Sequence, residues 1–113
     1  VNEKNDLPIR PHTLHVRRDL EEMPASGVLS RLFDAPASRH FARLYADGSL
    51  SCTVEPVALY PRNGVEMWPA RLVRLSCGRP KIEAAALVTI DERGRPIVSY
   101  VTGSTLARLS PRT

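Results

Sequence analysis

The clearest pattern of hydrophobic and polar positions lies between Ala84 and Thr102. There, two runs rich in Val, Ile, Thr and Tyr flank the polar segment Asp91-Glu92-Arg93-Gly94-Arg95. Enrichment of this kind marks strands, and Asp91 and Gly94 stand where a type I turn closed by a glycine bulge wants them. The turn predicts the register. Asp91 faces Arg95, Val88 faces Val98 and Ala86 faces Tyr100, while Leu87, Thr89, Ile97 and Val101 share the opposite face. Both faces are largely apolar, which predicts a hairpin inside a sheet covered on both sides.

Elsewhere the period shifts. Thr13 to Leu20 alternates, with Leu14 and Val16 on one side and His15 and Arg17 on the other, and predicts an edge strand. Val28, Leu29, Leu32 and Phe33 recur at helical spacing behind Ser26, a possible N-cap, and predict a short helix stopped by Pro36. From His40 to Val54 two readings compete. Phe41, Leu44 and Tyr45 would line one face of a helix beginning after Pro36, but Ala46-Asp47-Gly48 also suits a hairpin loop, and the hairpin is the expectation. Val57 to Tyr60 and Ala70 to Cys77 read as further strands, and Ser104 to Leu109 as one helical turn. The sum is an α+β fold of mainly antiparallel sheet, about six strands with one or two short helices.

The chain has 113 residues, enough for one modest core without staples. We expect a flexible N-terminal arm over 1–12, where Pro8 and Pro11 interrupt polar residues, one compact domain over 13–110, and a loose end at 111–113. No apolar run approaches a membrane span, and Val1 to Asp6 lack a signal-peptide core, so a cytoplasmic protein without membrane contact is expected. Cys52 and Cys77 both fall in apparent strands and are expected as free thiols packed like small hydrophobes.

The net charge is +4, but 14 of the 16 basic residues are arginine, a skew expected of GC-rich bacterial coding as much as of nucleic-acid binding. The first 25 residues carry four basic and five acidic groups, and the remainder twelve and seven, so the positive character belongs to the body. His12, His15 and His40 make no ligand cluster with the cysteines, and phosphate loops and nucleophile elbows are missing. The expectation is therefore no metal, no cofactor and no catalysis. A thiol at Cys52 activated by His40 across the second hairpin is the one conceivable dyad, and a buried structural thiol is the simpler reading.

The segment Leu87 to Ile97 resembles the hairpin of TonB C-terminal domains, but any hairpin with this turn shares those residues. The helix and last strand of that family have no counterpart after Thr102, so the resemblance assigns no family. Two functions follow for an extended arm and a motif-free body. The first is a protein-interaction or regulatory module, binding a protein partner or a second copy. The second is a nucleic-acid-binding β domain. In that reading Phe41, Arg43 and Tyr45 form a stacking face, and Arg71, Arg74, Arg79 and Lys81 supply phosphate contacts.

Overall fold

A computed structural model describes residues 11–62, 66–78 and 82–101. Three helices, α1 (Pro11–Glu22), α2 (Ala25–Asp34) and α3 (Arg39–Ala46), precede four strands, β1 (Leu50–Arg62), β2 (Glu66–Cys77), β3 (Ile82–Ile90) and β4 (Pro96–Val101). A 3₁₀ turn at Pro36–Ser38 joins α2 to α3. The strands form one antiparallel meander in the order β1-β2-β3-β4.

The α+β class and the antiparallel sheet agree with the sequence reading, and the strand count does not. Thr13 to Leu20 is helical, because Thr13, Val16 and Leu20 are the buried residues and recur at helical spacing, whereas Leu14 is 58% exposed. Arg39–Ala46 is α3 and not a strand. Gly48, at φ +83°, ends that helix: its N–H reaches Tyr45 O at 3.2 Å and the Ser49 N–H reaches Leu44 O at 2.8 Å, a Schellman closure. The pieces expected on either side of Pro56 are one strand, β1, with its register shifted between Val54 and Val57. A bulge there accommodates a proline that cannot donate to the ladder. The expected arm falls almost entirely on residues 1–10, outside the described residues, as do the turn at 104–109 and the loose end; helix α1 already begins at Pro11.

The helices lie on one side of the sheet. Val28 and Leu32 of α2 are fully buried against Leu50, Val73, Leu75, Ala86 and Val88, with Phe41 and Leu44 of α3 packed beside them. A smaller cluster sets Val16 and Leu20 of α1 against Trp68 and Ile90. The Trp68 indole N–H is satisfied by Ile90 O at 3.0 Å and Thr89 Oγ1 at 3.1 Å, as a buried ring donor requires. Among the described residues all three helices share one layer, so no described helix lies on the other face, although Leu72 and Ala85 are buried there.

Candidate functional site

The last hairpin fixes which residues lie where. Gly94, at φ +83°, donates to Asp91 O at 3.0 Å and Asp91 donates to Arg95 O at 2.9 Å, so the glycine bulge sits at the expected place. Asp91 Oδ1 also accepts the Arg93 and Arg95 N–H groups, both at 2.9 Å. These bonds favour the carboxylate and hold its pKa below the ordinary 3.8, the Arg95 N–H contributing most. From this turn the pairs Val88–Val98 and Ala86–Tyr100 follow, as the sequence predicts.

Alternation then divides the sheet. Ala86, Val88, Val98 and Tyr100 face the helices, and Tyr100 is fastened there. Its ring stacks on Phe41 with centroids 5.7 Å apart, and its hydroxyl shares a 2.8 Å hydrogen bond with Ser38 Oγ. The other face carries Ser51, Thr53, Leu72, Arg74, Ser76, Glu83, Ala85, Leu87, Thr89, Ile97, Ser99 and Val101. Leu72 and Ala85 are buried, Leu87 and Val101 half-buried, and Ile97 is 39% exposed. Ser51, Thr53, Arg74, Ser76, Glu83, Ala85 and Val101 line a shallow hollow of about 440 Å³ on that side. Arg74 Nε donates to Glu55 Oε2 at its margin.

The described residues of the expected basic and aromatic surface, Phe41, Arg43, Tyr45, Arg71 and Arg74, are divided between α3 and the two faces of β2. Phe41 is half-buried on α3 beneath Tyr100. Tyr45, 45% exposed, leans its ring on Phe33 at a centroid distance of 4.7 Å, and Arg43 is exposed on the same helix. Arg71 and Arg74, three apart in a strand, point to opposite faces. Arg71 donates from Nε to Glu55 O at 2.6 Å and from Nη1 to Leu20 O at 2.7 Å and Met23 O at 3.1 Å. It thus ties the carbonyl end of α1 to the bulge of β1, a structural duty that sequence reading did not foresee. Arg79 and Lys81 lie outside the described residues.

Cys52 and Cys77 are free and half-buried on the helix side, Cys52 opposite Leu75 and Cys77 opposite Leu50. That makes them diagonal neighbours. Burial pushes the Cys52 thiol above its ordinary 9.0, the wrong direction for a nucleophile. His40 is exposed on α3, tilted against Phe41, and the hairpin that would have carried it toward Cys52 does not form. Among the described residues, three or more His, Cys, Asp or Glu side chains are nowhere grouped to hold a metal ion, and no helix is long and apolar enough to cross a membrane. No family model matches the chain, and no curated protein or solved structure matches it.

Proposed function

We propose that the chain is a non-catalytic protein-interaction module whose sheet face opposite the helices receives a segment of a partner protein. The observation that carries this reading is the makeup of that face. Leu72, Ala85, Leu87, Ile97 and Val101 are interspersed with Ser51, Thr53, Ser76 and Ser99, with an ion pair at the margin. Partly exposed Leu87, Ile97 and Val101 over buried Leu72 and Ala85, beside small hydroxyls, suit a protein surface, which needs an apolar centre and a polar rim. The same face gives a nucleic acid little to hold. By alternation its charges pair off, Glu55 with Arg74 and Asp91 with Arg95, whereas a phosphate backbone needs a surplus of cations and bases need exposed rings.

The test is site-specific photo-crosslinking. A benzophenone side chain at Ser51, exposed on the face opposite the helices, should capture a discrete protein that the same group at Arg18, on the outer side of α1, does not capture. Identical products from the two positions would refute the assignment. Salt-sensitive capture of nucleic acid from Arg43 on α3, with nothing specific from Ser51, would favour the basic alternative.

A further inference from the structure

The two edges of the sheet are built differently. Edge strand β1 is guarded by a bulge at Glu55-Pro56 and by a second proline, Pro61, devices that discourage another strand from pairing. Edge strand β4 reads Pro-Ile-Val-Ser-Tyr-Val, with neither a charge nor a bulge. Because Asp91 and Arg95 are a hydrogen-bonded pair, alternation turns the N–H and C=O groups of Ile97, Ser99 and Val101 toward β3 and those of Val98 and Tyr100 outward. Pro96 falls on the outward side, so the missing N–H costs the sheet no internal bond. A hollow of about 520 Å³, lined by Val98, Pro96, Ala35, Pro36 and Ala37 among others, flanks the strand on the helix side.

We propose that β4 pairs antiparallel with β4 of a second copy, about a two-fold axis through Ser99, joining two sheets into one of eight strands. This goes beyond the partner-binding face, which it leaves open. The choice of a second copy rests on self-complementarity. In this register Val98 and Tyr100 are the outward hydrogen-bonding positions and face Tyr100 and Val98 of the other copy, giving four N–H to O=C bonds. Ile97 falls opposite Val101, so apolar side chains meet on both faces. Moving the axis to Val98 would set Pro96 at a donor position, and moving it to Tyr100 would carry the pairing beyond Val101. A two-fold axis sets each central residue against its own copy, and β4 has no charge there to repel.

The full chain should sediment at about twice 12.5 kDa. Ser99→Lys, which places two ammonium groups across the axis from an exposed position, should halve that mass while leaving the thermal unfolding of the subunit in place. Mild oxidation reads the register. Residues facing each other on the axis are a non-hydrogen-bonded pair with Cα atoms about 4.5 Å apart, within disulfide reach. Ser99→Cys should therefore crosslink to itself. Ile97→Cys should not, yet should crosslink when mixed with Val101→Cys. A monomeric wild-type chain, or a dimer that persists without the Ser99→Cys bridge, would overturn the proposal; the second result would place the contact on another surface. Neither outcome touches the photo-crosslinking result at Ser51.

Discussion

Val88 and Val98 stand directly opposite one another across the last hairpin, the first fully buried and the second packed on the edge of the same core cluster. Both side chains point at the Val28 and Leu32 stripe of α2, so the hairpin and the helix layer share one contact. Val88→Ala should cost about 2 kcal/mol through lost burial and the space left behind. Val98→Asp should abolish cooperative unfolding, because an unpaired carboxylate would sit at that contact. Urea denaturation checks both. A soluble, cooperatively folding Val98→Asp protein would remove the hairpin from the core.

Arg71 should prove structural. Lysine keeps the charge but cannot hold three carbonyls with a planar fork, so Arg71→Lys should lose about 2 kcal/mol of stability. Amide exchange should quicken in the last turn of α1, whose carbonyls lose their cap. An unchanged denaturation midpoint would show that solvent or a neighbour replaces the guanidinium without loss.

Tyr45 distinguishes packing from base stacking. Its contact with Phe33 is half-exposed, so Tyr45→Ala should cost roughly 1 kcal/mol of folding stability. Single-stranded DNA or RNA should bind the variant and the wild type alike. A stably folded Tyr45→Ala chain that loses a salt-sensitive interaction worth about 1–3 kcal/mol would instead make Tyr45 a stacking platform.

Alkali should unfold the protein through two phenols. Burial is the main cause raising Tyr60 and Tyr100 above their ordinary 10.0; at Tyr60 the Glu55 charge adds to it and Arg74 opposes, and at Tyr100 the Ser38 hydrogen bond opposes while Cys52 adds. A raised folded-state pKa means that this stability is complete below pH 10.0 and is lost as pH climbs through the folded values. Asp91 acts at the other end. Its lowered pKa contributes stability above the ordinary 3.8 that disappears as pH falls through the folded value. Burial also raises the Cys52 thiol above its ordinary 9.0, so thermal midpoints should be flat between about pH 3.8 and 9.0 and drop outside those limits, and Asp91→Asn should remove its share of the acid drop.

What the sequence made legible was local. The 84–102 hairpin carries its own register, because one turn with Asp91 and Gly94 decides every pair after it. The 40–54 segment was ambiguous for a physical reason: a glycine in the left-handed conformation serves a hairpin bulge and a helix end equally well, and Gly48 does the latter. The 13–20 segment misled because Leu14 and Val16 alternate while the buried set is Thr13, Val16 and Leu20. Pro11, well suited to a first helical turn, was the signal that could have corrected it. The duty of Arg71 depends on contacts 48 and 51 residues away in the chain and has no local signature. The placing of every described helix on one face was invisible for the opposite reason. Apolar residues on both sides of a strand predict cover without saying whether the same chain supplies it.

Among the described residues the three helices precede the four strands, so during synthesis the apolar stripe of α2 emerges before the sheet that buries it. Ser38 waits for Tyr100, 62 residues later, and Val28 waits for Val88. Helices this short, of 12, 10 and 8 residues, gain their stability from packing and not from propensity. The nascent chain is thus committed to a late, concerted closure in which the meander forms and the helix layer settles on it in a single event. Until the meander is made, the residues of α2 that it buries stay without their partners in the sheet.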